Sequence, residues 1–202
     1  MPDPMMTSPQ SPHSDSERPS HVAAVAAARS TTVLLVRHGG KTVMASDGQV
    51  TLQDTIVKTK ASKVKRVGRG DVIVGFAGSA ADGLALYTRF EAKLEEFQGN
   101  LERAVIELAK DWRTDRVLRQ LQAMMIIADK RQSFLMSGTG DLLQPDEEGA
   151  LAIGSGANYA LAAARALLRH TDMEPRQVVE EAMKIAAEIC VYTNDQLTIE
   201  EL

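Results

Sequence analysis

The sequence contains little that would direct it to a membrane or to an oxidising compartment. Cysteine occurs once, at Cys190, so no disulfide can form within the chain, which fits a reducing cytosol. No apolar run approaches the roughly 18 residues of a membrane-spanning helix. The V22-A-A-V-A-A-A28 run is short, and acidic residues outnumber the single Arg18 before it, whereas a secretory signal begins with basic residues. We therefore expect a cytoplasmic protein that does not associate with membranes.

Motifs of nucleotide-binding proteins and of common hydrolases are also missing. There is no G-x-x-x-x-G-K-[ST] P-loop. The G154-S-G156 turn precedes a predicted helix, but Tyr159 stands where a dinucleotide fingerprint needs a third small residue. The turn is better interpreted as a helix start with exposed amides, in which Ser155 is a cap or an active-site hydroxyl. We expect that this chain binds no nucleotide.

A serine, cysteine or zinc hydrolase of the usual kinds is not supported. The sequence has no G-x-S-x-G elbow, no H-E-x-x-H motif and no Cys/His cluster. Cys190 lies at the end of an apolar helical face, where a buried and unreactive thiol is expected. The net charge of −4 argues against nucleic acid as the main partner.

Residues 1–30 differ in composition from the rest of the chain. They contain five of the seven prolines and six serines, and no aromatic residue, leucine or isoleucine. Such a segment cannot bury enough apolar surface to offset its ordering entropy, so we predict a disordered extension or propeptide. Met5 or Met6 could serve as the start instead of Met1, which would shorten it.

From Thr31 to Leu202 the chain has the composition of one globular domain, and its periodicity alternates between two kinds. Segments of strand character are followed by two amphipathic helices, and this order is then repeated once. Blocks of this kind favour an α+β fold with two antiparallel sheets sandwiched between helix pairs. The predicted strands are 31–36, 41–45, 57–67, 72–76, 123–128, 133–136 and 151–153, and the predicted helices are 84–97, 101–112, 159–168 and 175–189.

Thr31 is the first residue of the predicted domain. A threonine pair at this place is ordinarily just β-branched strand sequence. Asp47 follows sixteen residues later and Lys63 thirty-two later, and G75-F-A-G78 lies beyond them. Taken singly, Asp47 and Lys63 would be surface charges in polar turns. Their spacing from Thr31 gives them a second interpretation.

With these distances, the chain resembles the HslV family, the peptidase subunits of a bacterial two-component ATP-dependent protease and relatives of proteasome β-subunits. The resemblance runs from Thr31 to Leu202. The stretches that carry it are D47-G-Q-V-T-L52, G75-F-A-G78, L108-A-K-D-W-R-T-D-R116, A152-I-G-S-G156, I189-C-V-Y-T-N194 and T198-I-E-E-L202.

The resemblance implies a four-layer N-terminal nucleophile hydrolase fold and a threonine protease. Thr31, freed by removal of residues 1–30, would be the nucleophile, and its own α-amino group the general base. That group has a reference pKa of about 7.7–8.0, close to operating pH. Lys63 would be the neighbouring cation and Asp47 its partner. Gly75 would donate its N–H to the oxyanion, and Ser155 would place a hydroxyl near the amine.

The resemblance also implies a sodium ion and an assembly. Backbone carbonyls of Ala187, Cys190 and Thr193 would hold the ion, although the family usually has glycine where this chain has Ala187. The subunits would form two stacked hexameric rings that degrade unfolded polypeptides delivered by an HslU-type ATPase ring.

Two other hypotheses remain open. One is a proteasome-like hydrolase of another branch, with the same nucleophile and a different partner. The other is a catalytically silent ring subunit whose extension is never removed.

Overall fold

The computed structural model describes residues 31–115, 118, 123–145 and 149–202, without the side chains of residues 80 and 81. The predicted extension, residues 1–30, lies outside the described residues. The helices are α1 (Ala80–Glu96), α2 (Leu101–Thr114), α3 (Ala157–His170) and α4 (Pro175–Ile189). The strands are β1 (Thr32–His38), β2 (Lys41–Ser46), β3 (Val50–Leu52), β4 (Thr55–Lys58), β5 (Val64–Val67), β6 (Val72–Gly78), β7 (Ala123–Ala128), β8 (Ser133–Met136), β9 (Leu142–Leu143), β10 (Gly149–Gly154) and β11 (Thr198–Glu201).

The strands form two large antiparallel sheets and one small hairpin. One sheet has the order β10-β1-β2-β11, and the other has the order β5-β6-β7-β8-β9. The β3–β4 hairpin forms a separate two-stranded sheet. Helices α3 and α4 pack on the four-stranded sheet, and α1 packs on the five-stranded sheet with α2 beside it.

Strand β1 is apolar on both faces because both sides of its sheet are covered. Successive side chains of a strand point to opposite sides of the sheet. Leu34 and Val36 pack with α3 and α4, whereas Val33 and Leu35 pack against the other sheet. All four are at most 1% exposed. An uninterrupted apolar run is therefore the sequence expected of a strand in a middle layer.

The predicted α+β sandwich of two sheets between helix pairs is confirmed. Within it, the predicted strand over residues 57–67 is wrong, because β4 ends at Lys58 and β5 begins at Val64, in a different sheet. The chain leaves strand geometry between them, where Ala61 donates its N–H to the Gly48 carbonyl at 2.9 Å. Leu84, placed on the core face of the first helix, is 54% exposed. The sequence prediction also missed β3, β9 and β11.

Helix α4 begins as its sequence predicts. Glu174 and Gln177 form a capping box, and Pro175 occupies the first turn, where its missing N–H costs no hydrogen bond.

Among the described helices, none has the length and apolar character needed to cross a membrane.

Candidate active site

Thr31 immediately precedes β1, at the edge of the sheet where the ends of β1, β2 and β10 meet. Its neighbour Thr32 is paired with Gly154 of β10. The Thr31 carbonyl accepts the Ser155 N–H at 2.8 Å, and the Thr32 carbonyl accepts the Asp47 N–H at 3.1 Å. A Cβ on Gly154 would collide with the Thr31 carbonyl, so the two chains approach as closely as only glycine allows. Backbone contacts on both sides therefore fix the position of Thr31.

The Asp47 carboxylate connects three parts of this site. Its Oδ1 accepts the Thr32 N–H at 2.7 Å and the Lys63 ammonium at 3.0 Å. Its Oδ2 accepts the Gln49 N–H at 2.9 Å. The Lys63 ammonium also donates to the Gln49 carbonyl at 2.6 Å. One carboxylate oxygen thus holds both the lysine and the residue that follows Thr31.

The Lys63–Asp47 pair is buried, with side chains 6% and 0% exposed. Burial lowers the pKa of Lys63, while the charge of Asp47 and its hydrogen bond act to raise it. The pKa falls on balance because removing the ammonium from water costs more than the carboxylate returns. The result is a desolvated cation next to the end of β1, of the kind found at functional sites.

The Thr32 hydroxyl belongs to a buried network that spacing alone did not predict. It accepts the Gly156 N–H at 2.9 Å and lies 2.7 Å from the Thr193 hydroxyl. Thr32 is 0% exposed and Thr193 is 4% exposed. This network links β1 to the first turn of α3 and to the loop that follows α4. The second threonine of the T-T pair is the one sequence feature that indicates this network.

Gly75 lies in the middle of β6, facing the other sheet. A Cβ there would be 2.6 Å from Val33 Cγ1 and 2.7 Å from Met44 Sδ. Phe76 donates its N–H toward β5, to the Lys63 carbonyl at 3.1 Å. Neighbouring residues of an antiparallel strand point their amides in opposite directions, so the Gly75 N–H faces β7. This geometry does not support the predicted oxyanion role of Gly75.

Gly78, at the end of the same strand, is better placed. Its N–H has the same direction as that of Phe76, toward the β5 side. The ladder register would bring Ala61 opposite Gly78, but Ala61 bonds to Gly48 instead, and β5 starts only at Val64. The neighbouring Ala77 Cβ would be 3.2 Å from a Cβ on Gly154, beside Thr31. The amide of Gly78 thus points out of the ladder close to the candidate nucleophile.

The predicted sodium ligands lie at the C-terminal end of α4. Ala187 is in the last turn, Cys190 ends the helix, and Thr193 donates its N–H to the Cys190 carbonyl at 3.0 Å. The negative end of a helix dipole and carbonyls without helical partners suit a cation. Ala187 does not have positive φ, so alanine replaces glycine there without strain. The sodium ligands remain a prediction. Cys190, predicted to be buried, is 7% exposed.

The structure brings Thr31, Asp47, Lys63 and Ser155 together at one end of the four-stranded sheet. Ser155 is exposed, and it contacts Thr31 through its backbone N–H. Their catalytic roles remain predictions.

Comparison with known proteins assigns the chain to a family. A family model for proteasome subunits matches residues 27–202. ATP-dependent protease subunit HslV of Pseudothermotoga lettingae is 58% identical over 174 residues, which covers 86% of this chain and 98% of that protein. HslV of Thermosipho africanus is 59% identical with the same coverage. The crystal structure of eukaryotic HslV from Trypanosoma brucei superposes with a TM-score of 0.80 at 41% identity, covering 85% of this chain and 98% of that one.

Proposed function

Since the chain belongs to the proteasome subunit family, we propose that it is a threonine-type endopeptidase subunit whose nucleophile is Thr31. The observation that carries this proposal is the buried Lys63–Asp47 pair, joined through one carboxylate oxygen to the N–H of Thr32. A buried ion pair of this kind costs free energy of desolvation. The pair contacts Thr32, the residue that follows the proposed nucleophile, so its charge can act on the reaction.

The reaction follows from the groups at this end of β1. The Thr31 hydroxyl attacks the peptide carbonyl, and its proton passes to the free α-amino group of the same residue, through a water molecule. Nucleophile and base are then held by covalent geometry. The amine of the substrate leaves with a proton, and water hydrolyses the resulting ester to regenerate Thr31. The Lys63 ammonium favours the negative charge that develops on the attacking oxygen.

The oxyanion donor in this proposal is the N–H of Gly78. The family resemblance assigned that role to Gly75, whose N–H faces β7. Gly78 lies three residues further along β6, at the end nearest Thr31, and its N–H faces away from the ladder. A backbone donor fixed by a strand needs no reorganisation as charge develops.

In the uncut chain, the Thr31 nitrogen is an amide and cannot act as a base. We therefore propose that residues 1–30 are a propeptide and that the chain is latent until they are removed. The intact mass and N-terminal sequence of the purified protein test this. Loss of about thirty residues, leaving Thr31 first, is expected in the active protein. A full-length chain that forms rings and cleaves no peptide would instead indicate a silent ring subunit.

The partners are proposed from the relatives, which are named as subunits of an ATP-dependent protease. In this proposal, the chain forms two stacked hexameric rings in the cytoplasm, and an HslU-type ATPase ring delivers unfolded polypeptides to them. Mass measurement under native conditions gives the subunit number. Stimulation of peptide cleavage by a purified ATPase of this type, in the presence of ATP, tests the partnership.

The carbonyls of Ala187, Cys190 and Thr193 are proposed to hold a sodium ion, which would supply fixed positive charge at the end of α4. Its test does not depend on catalysis. Replacing sodium chloride by choline chloride at equal ionic strength should lower the melting temperature, because a ligand that binds only the folded state stabilises it. Equal melting temperatures in the two salts would contradict the site.

A further inference from the structure

We propose that the side chain of Gln49 is a positioning residue that ties the turn carrying the Lys63 acceptors to the loop that follows α4. This inference rests on the proposed peptidase function and assigns to that site a residue whose side chain has no part in the reaction described above. The turn consists of Asp47, Gly48 and Gln49. The loop, from Val191 to Gln196, is more than 140 residues away in sequence.

Gln49 is 3% exposed, and the contacts of its side chain and its backbone serve different partners. The side-chain amide donates to the Val191 carbonyl at 2.9 Å and to the Thr51 hydroxyl at 3.0 Å. The backbone carbonyl accepts the Lys63 ammonium at 2.6 Å. The side chain thus anchors, to the distant loop, the very residue whose carbonyl holds the catalytic-site lysine.

A second contact between the same turn and the same loop supports this arrangement. The Asn194 side-chain oxygen accepts the Gly48 N–H at 3.0 Å. Its amide nitrogen donates to the Thr59 carbonyl at 3.0 Å. Two side chains, one from each segment, therefore hold the turn and the loop together. Neither of these two contacts is a hydrogen bond within the turn itself.

The consequence for Lys63 follows from its burial. Its ammonium donates to the Asp47 carboxylate and to the Gln49 carbonyl. Asp47 is the charged side chain that acts on it. In the proposed processed protein, the Thr31 amino group would be a second titratable group at this site, since Asp47 also accepts the N–H of the adjacent Thr32. If the Gln49 carbonyl shifts, a buried cation loses one acceptor, which disfavours its charged form. Lys63 would then lose its proton at a lower pH than in the wild type.

The test uses the assembled, processed protein and a short fluorogenic peptide. Gln49→Met keeps the volume of the side chain and removes its hydrogen bonds. We expect kcat to fall about tenfold with KM within about twofold, since small displacements of catalytic groups are costly. The alkaline limb of kcat against pH should move to lower pH by about half a unit or more. Gln144→Met, at an exposed glutamine after β9, is the matched control and should match the wild type.

Each outcome decides the proposal. A wild-type kcat and alkaline limb in Gln49→Met would overturn it. A lower melting temperature with an unmoved alkaline limb would also overturn it, because it would show a purely structural role. If Gln49→Met does not assemble, Gln49→Asn, whose shorter side chain cannot reach the Val191 carbonyl, is judged by the same criterion. A processed wild type without peptidase activity would overturn the proposed function itself, whereas an active wild type with unshifted variants overturns the Gln49 assignment alone.

Discussion

Strand β2 is flanked by two ion pairs that differ in almost everything except their chemistry. At its start, Lys41 contacts Glu174 at 2.7 Å, and the two side chains are 51% and 63% exposed. Just after its end, Asp47 contacts Lys63 at 3.0 Å, and both side chains are buried. The shorter contact is the one in water. The N–O distance of an ion pair therefore does not indicate whether the pair has a functional role.

The two lysines also respond to their surroundings in opposite directions. The hydrogen bond with Glu174 raises the pKa of Lys41, with the charge of Glu174 adding to it. Burial lowers the pKa of Lys63 in spite of its carboxylate partner. Water screens the first pair and reduces its contribution to stability. The second pair is screened much less, and it contacts the N–H of Thr32, the residue that follows Thr31.

Thr31→Ala should have the largest effect. The effect should be confined to the site beside the buried Asp47–Lys63 pair. We expect peptidase activity to fall by at least about a thousandfold, because removing a nucleophile leaves only the residual effects of binding and oxyanion stabilisation. Ring assembly, measured by native mass, should be unchanged, since one hydroxyl at a strand end contributes little packing. Thr32→Ala is tested alongside, because the two threonines are adjacent. Substantial cleavage by Thr31→Ala would exclude it as the nucleophile.

Lys63→Met and Lys41→Met compare the two ion pairs directly. Lys63→Met leaves the Asp47 charge buried without its cation, which costs about 3–5 kcal/mol of unfolding free energy. Its peptidase activity should be lost as well. Lys41→Met should change neither activity nor the denaturation midpoint measurably, because both side chains are more than half exposed. Chemical denaturation and peptide cleavage measure both variants. Equal effects at the two positions would contradict the distinction drawn from burial.

Two glycines extend the comparison to packing. A Cβ on Gly156 would collide with the Thr32 hydroxyl and lie 2.7 Å from that of Thr193. Gly156→Ala should therefore displace Thr32, cost about 1–3 kcal/mol and reduce kcat about tenfold or more. Gly40, in the turn at the other end of β1, has open space around a Cβ but a φ of 76°. Gly40→Ala should cost about 1 kcal/mol through backbone strain and leave kcat unchanged. Loss of activity in both variants would mean that the whole strand pair, not its end, is sensitive.

The sequence predicted the layers well because their signals are local. The stripes of α2 and α4 and the turn before Lys41 depend on residues within one or two turns of each other. The strand break after Lys58 could not be found in this way. The segment after Lys58 makes long-range contacts, among them a hydrogen bond from the amide of Asn194, 135 residues away, to the Thr59 carbonyl. Local propensity gives no sign of a partner at that distance.

The site was predicted only in part, because some of its contacts join segments that are far apart in the sequence. The family resemblance pointed to Asp47 and Lys63, which the structure joins in one ion pair. The contact between Thr32 and Thr193 could not be derived, since nothing in either segment marks the other. The resemblance assigned the oxyanion role to Gly75, but a backbone donor must also point its amide toward the site. That direction is set by strand register, and register was not determined by the sequence pattern.

The smallest effect should be the difference in pH dependence between the two lysines. Lys63 must be protonated to favour the attacking oxygen, and burial lowers its pKa, so the charged form is lost at a lower pH than for a lysine in water. We therefore expect the alkaline limb of kcat to lie below about 10.4, the usual lysine value. Lys41→Met is the control and should leave the limb in place, because its ammonium lies at the far end of β2. Rate measurements over a pH series, with assembly checked at each pH, locate the limb. A limb at or above the usual lysine value would mean that Asp47 outweighs burial at Lys63.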